Sequence, residues 1–127
     1  MSQPLILVAE DERDIRDLIV ITLQLNGFEV VDVPNGEKAV EKATEINPDL
    51  ILMDVRMPKM TGLEACAELK KDDRTKNIPV IFLSARGQEA EISDGLEVGA
   101  EEYILKPFAP DKLIERVNQI LIKYGKL

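Results

Sequence analysis

Histidine is absent from this chain of 127 residues. Its absence excludes His-based acid–base catalysis, His-ligated metals and a phosphohistidine on the chain itself, so any phosphohistidine step must come from a partner. The single cysteine, Cys66, cannot form an internal disulfide. It shares a helical spacing with Leu63 and Leu69 and reads as buried filler, not as a reactive thiol. No apolar run approaches the roughly 20 residues of a membrane helix, and no secretory signal opens the chain. A cytoplasmic location and no membrane partner are therefore expected. Positive charge is also scarce: 16 Lys and Arg face 24 Asp and Glu, for a formal net charge of −8. That balance argues against direct contact with nucleic acid, which needs a basic face. Internal repeats, low-complexity segments and linkers are missing too, which leaves one domain over residues 1–127.

What remains is a globular composition, 45% apolar and 31% charged. The central stretch runs from Pro48 to Gly62. Its apolar run Leu50 to Met53 has the length and bounds of a strand buried on both faces, and it delivers Asp54 at its carboxyl end. Pro58 then stops any regular element, and Gly62 offers backbone freedom. Apolar runs at 4–9 and 78–83, a weak alternation over 28–33 and a short segment at 102–105 predict four more strands. Helices are predicted over 14–26, with Ile15, Leu18, Ile19 and Leu25 on one face, and over 37–46. Others follow over about 61–73, with Leu63, Cys66 and Leu69 inward, over 88–98 (interrupted by Gly95), and over 111–124. Strict alternation of strand and helix implies a (βα)5 α/β fold, a doubly wound parallel sheet with right-handed crossovers.

In such a sheet all strand ends of one kind share an edge, where open α/β folds place their ligands. That edge collects Glu10 and Asp11 after the first strand, Asp54 after the third, Ser84 after the fourth and Lys106 after the fifth. Each has a plain structural explanation of its own. Asp54 reads equally as a turn-capping aspartate, Glu10 and Asp11 as a helix N-terminal charge pair, Ser84 as a turn residue and Lys106 as a surface lysine. Together they form a reagent set. Three acids and one lysine leave the cluster two charges negative, which one divalent cation neutralises. Oxygen donors without Cys or His select a hard ion, Mg²⁺ with Mn²⁺ as a substitute. Asp54 would then act as a covalent nucleophile towards phosphorus, Glu10 and Asp11 would hold the metal, and Lys106 and the Ser84 hydroxyl would take the remaining phosphoryl oxygens.

These residues, with the stretch Met53-Asp54 to Pro58 and Gly62, Ser84-Ala85 and Lys106-Pro107, resemble the receiver domain of response regulators, the CheY-like module of two-component signalling. The resemblance covers essentially the whole chain and supplies the flavodoxin-like strand order 2-1-3-4-5. It implies phosphorylation of Asp54 by a sensor histidine kinase or histidine phosphotransfer protein, with self-phosphorylation from small phosphodonors and slow autodephosphorylation. It further implies a metal shell of Glu10, Asp11, Asp54 and the backbone carbonyl of Arg56, and a cis peptide between Lys106 and Pro107. Signalling would couple Ser84 to Tyr103 through the face made by the fourth helix, fifth strand and fifth helix, towards a downstream protein target. The output form would be a monomer or a phosphorylation-dependent dimer. Arg56 and Arg86 would flank the phosphoryl group and tune its lifetime, and because arginine cannot accept a water's proton, a comparatively long-lived acyl phosphate is expected.

Three other classes fit less well. A haloacid-dehalogenase-like phosphatase wants a second Asp two residues after the first, and position 56 is Arg. A flavodoxin-like electron carrier wants Ser, Thr and Gly after the first strand, where Glu10-Asp11-Glu12-Arg13-Asp14 stands. A pseudo-receiver that binds partners without phosphorylation usually lacks a member of the reactive set, and all five are present. The last predicted helix runs nearly to Leu127, which favours a single-domain regulator acting by protein–protein contact over a receiver cut from a longer protein.

Overall fold

A computed structural model describes residues 3–85, 93–94 and 96–127. The strands are β1 (Leu5–Ala9), β2 (Glu29–Val33), β3 (Leu50–Asp54), β4 (Val80–Ala85) and β5 (Glu102–Lys106). They form one parallel sheet in the order β2-β1-β3-β4-β5, as expected. The described helices with complete bounds are α1 (Arg13–Leu25), α2 (Gly36–Ile46), α3 (Gly62–Lys71) and α4 (Pro110–Lys123). The helix predicted over 88–98 falls largely outside the described residues.

Alternate residues of the inner strands feed two cores, one on each face of the sheet. Leu7, Ile51, Met53 and Phe82 pack with α2 and α3 through Ala39, Ala43, Cys66 and Leu69. Ile6, Val8, Leu52 and Leu83 pack with α1 and α4 through Ile19, Leu23, Val117 and Leu121. All five residues of β3 are buried, which is why its sequence is an unbroken apolar run up to Asp54. Each fully buried aliphatic side chain contributes roughly 1.5–3 kcal/mol, and these layers fix the strand ends that carry the polar residues.

One helix face differs from its prediction. Leu18 is 53% exposed and Leu25 82% exposed, whereas Leu23 is fully buried. The buried stripe of α1 follows Ile15, Ile19 and Leu23 at four-residue spacing, and Leu18 and Leu25 lie on the next row round the helix. Strand β4 also starts two residues later than its apolar run. Ile78 closes a turn onto the Thr75 carbonyl, and Pro79 has no N–H to offer a ladder.

Candidate functional site

The register brings the polar residues together. Ala9 pairs with Met53, so Glu10 emerges level with Asp54. Asp54 pairs with Leu83, which puts Ser84 one step further along the neighbouring strand, and Ala85 pairs with Lys106. Two strand spacings, about 10 Å, separate β3 from β5. The lysine stem, the acid side chains and a hydrogen bond together bridge that distance: the Lys106 Nζ donates to Glu10 Oε1 at 2.7 Å and to Asp54 Oδ2 at 2.9 Å. Carboxylate oxygens of Glu10, Asp11 and Asp54 lie within 4.8 Å of one another, with Glu10 and Asp54 buried and Asp11 exposed. The Ser84 hydroxyl is buried and donates to the Ala85 carbonyl at 3.3 Å.

The loop after β3 is shaped to keep this edge open. Lys59 adopts a left-handed φ of 68°, and Met60 N–H turns back onto the Pro58 carbonyl at 2.8 Å. Thr61 and Glu64 form a reciprocal capping box that starts α3. Gly62 N–H donates to the Val55 carbonyl at 2.8 Å, and a Cβ on Gly62 would lie 2.1 Å from the Asp54 carbonyl oxygen. Only glycine allows α3 to begin this close to the strand carrying Asp54.

Charge is incompletely balanced here. Burial pushes the Glu10 carboxyl above its ordinary range, the Asp54 charge adds to that shift, and the hydrogen bond from Lys106 opposes it. Asp11, though exposed, is likewise raised, by partial desolvation of its carboxyl first and by Glu10 beside it. Burial alone would lower Lys106, but its hydrogen bonds to Glu10 and Asp54 outweigh this and raise it. All three folded-state values lie above the unfolded ones. For the two acids the stabilising contribution is complete below their ordinary values of 4.5 and 3.8 and is lost as pH rises through the raised ones. For Lys106 it persists up to its ordinary value of 10.5 and disappears only above that. The raised values mark a cost of burying and crowding the two acids, which the bonds from Lys106 offset in part.

Three hard oxygen donors with no Cys or His suit a hard divalent cation, and a nearby ammonium and hydroxyl suit the oxygens of a phosphoryl group. The structure brings together Glu10, Asp11, Asp54 and Lys106, with Ser84 adjoining them. The Lys106–Pro107 peptide is cis. Arg56 is exposed two residues beyond Asp54, and Arg86 lies outside the described residues. Tyr103 is 39% exposed on β5, and lines a groove with Leu105, Pro107, Phe108 and Lys112. One participant was not anticipated from the sequence. Arg16 donates through Nη1 to the Glu10 carbonyl at 2.8 Å and through Nε to Asp32 Oδ2 at 3.1 Å. Its signal was a cation near the start of a helix, where the macrodipole disfavours positive charge unless a partner compensates.

Relief of the crowded charge should be measurable. In metal-free protein at pH 7, Asp11→Asn is expected to raise stability by up to about 1 kcal/mol in urea denaturation, the scale of a solvent-screened charge. The gain should shrink in high salt and as the pH is lowered through the Asp11 titration. An unchanged or lowered midpoint would contradict this electrostatic reading.

The family model for the response regulator receiver domain matches residues 6–118. The phosphate regulon transcriptional regulatory protein PhoB of Pseudomonas aeruginosa is 40% identical over 120 residues, which are 94% of this chain and 52% of that protein. The chain thus spans about half the length of this curated relative. The chemotaxis response regulator CheY4 of Vibrio cholerae superposes with a TM-score of 0.89 at 31% identity, covering 94% of this chain and 100% of that one. The receiver domain of sensor histidine kinase PA1611 from Pseudomonas aeruginosa, solved with a magnesium ion in its active-site cleft, gives 0.86 at 29% identity, covering 93% and 97%. With its five-stranded parallel sheet and its acids at the carboxyl edge, the chain belongs to the response-regulator receiver domain family.

Proposed function

We propose that this domain is a phosphorylation-activated switch that takes a phosphoryl group on Asp54 from a partner's phosphohistidine and thereby changes which protein it binds. The observation that carries the proposal is the convergence of Glu10, Asp11, Asp54 and Lys106 at one sheet edge, with Lys106 bonded to both Glu10 and Asp54. Glu10, Asp11, Asp54 and the Arg56 carbonyl would hold Mg²⁺, and the magnesium ion in the PA1611 receiver supports that ion here. Mg²⁺ supplies positive charge for the phosphoryl oxygens and leaves coordination sites for them.

An Asp54 carboxylate oxygen attacks phosphorus while the P–N bond to the partner's imidazole breaks, and the imidazole keeps the bonding electron pair. Lys106 keeps its proton and moves from Asp54 to an oxygen of the transferred group, neutralising charge as it arrives. The Ser84 hydroxyl rotates from the Ala85 carbonyl to donate to another phosphoryl oxygen. That movement at the end of β4 is felt on β5, where Ser84 pairs with Leu105 and Phe82 with Tyr103. The Tyr103 ring, partly exposed, exchanges water for apolar contact as it turns inward.

Arg56 and Arg86 give the product its lifetime in this reading. Neither guanidinium can take a proton from an attacking water, so hydrolysis lacks general-base assistance from these positions.

The switch is tested by following Tyr103 ring resonances in Mg²⁺ with acetyl phosphate. Wild type should shift them; Ser84→Ala should still gain a phosphoryl adduct by mass but lose most of the shift. An undiminished shift in phosphorylated Ser84→Ala would refute the coupling. For the lifetime, Arg56→Asn combined with Arg86→Glu is expected to speed loss of the phosphoryl group by about tenfold or more, measured as adduct decay after donor removal. An unchanged rate would remove both arginines from that role.

A further inference from the structure

We propose that Arg16 is a positioning residue for the acidic site, fixing the peptide that carries Asp11 by clamping the Glu10 carbonyl against Asp32 of β2. The inference rests on the Mg²⁺-dependent reading above and assigns part of the site's metal affinity to a side chain that touches no metal.

Arg16 projects from the opening turns of α1, and its side chain is only 17% exposed. Its Nη1 donates to the Glu10 carbonyl at 2.8 Å while its Nε donates to Asp32 Oδ2 at 3.1 Å. On the other side of the same residue, Glu10 N–H donates to the Val33 carbonyl at 3.2 Å. The backbone on both sides of Glu10 is thus tied to β2, one tie direct and one through the guanidinium. The peptide unit between Glu10 and Asp11 is planar, so fixing its carbonyl oxygen sets the direction in which Asp11 leaves the strand. Asp11 needs this, because it is the exposed member of the three acids. The Glu10 side chain is also fixed, with Oε1 on Lys106 and Oε2 accepting from Glu12 N–H at 3.2 Å. A turn ordered in advance spares metal binding the conformational entropy of ordering it.

The sign of the effect separates this role from a purely electrostatic one. Arg16 is a cation beside a cation-binding site, so charge alone would make its removal tighten Mg²⁺. Positioning makes the opposite demand. Outer residues that orient metal ligands typically contribute about 10–100-fold in affinity. Arg16→Ala is therefore expected to weaken Mg²⁺ binding about tenfold by isothermal calorimetry on the folded protein at 20 °C. Arg16→Lys keeps the charge but not the fork that spans carbonyl and carboxylate, and should weaken binding comparably. Asp32→Asn should weaken it less, since the bond to the Glu10 carbonyl survives.

Urea midpoints identify the variants that remain folded, and a lower midpoint with unchanged affinity would reduce Arg16 to a structural tie and overturn the proposal. So would unchanged or tighter Mg²⁺ binding by Arg16→Ala or Arg16→Lys when wild type binds normally. A wild type that takes up no Mg²⁺ would overturn the metal-dependent function itself, and this inference with it.

Discussion

The Lys106 ammonium, 2.7 Å from Glu10 and 2.9 Å from Asp54, ties the end of β5 to the ends of β1 and β3 across the intervening strand. The two carboxylates it serves are buried, Glu10 completely and Asp54 to within 6%. Without the lysine they would face each other, and breaking a buried pair of this kind typically costs about 3–5 kcal/mol. The same contact makes the site responsive. A phosphoryl group on Asp54 brings new anionic oxygens to the lysine, so the ion pair that completes the resting edge is the one the proposed chemistry rearranges.

The surrounding fold is organised to tolerate that edge. Two apolar layers, one on each face of the sheet, stabilise the strands independently of what their carboxyl ends carry. The acids can then be held too close for comfort, with Glu10 and Asp11 both shifted towards protonation. Stability is lost at the site and supplied by the core, a distribution common at functional sites. Gly62 serves the same end, because any side chain there would drive the start of α3 into the backbone that presents Asp54.

Most of this architecture was legible in the sequence, for a definite reason. Strands of a parallel sheet are buried on both faces, so β1, β3 and β4 appear as apolar runs whose first polar residue marks the strand end. Glu10, Asp54 and Ser84 are those first polar residues, and Asp11 lies one step beyond. Helix faces were harder to read. In α1, Ile15 with Ile19 and Leu18 with Leu25 both satisfy a helical period, and only packing against the sheet decides that Leu23, not Leu25, joins the core. The role of Arg16 was hidden for a related reason: its partner Asp32 is sixteen residues away and becomes a neighbour only because β2 pairs with β1. The roles of Arg56 and Arg86 came from family resemblance alone.

The central claim is covalent chemistry at Asp54, and intact-mass spectrometry after incubation with Mg²⁺ and acetyl phosphate tests it most directly. The account predicts one added phosphoryl group on wild type, lost when Mg²⁺ is chelated and absent from Asp54→Asn. An adduct that persists in Asp54→Asn, or no adduct on a wild type shown to bind Mg²⁺, would contradict it and leave a module that signals by binding alone.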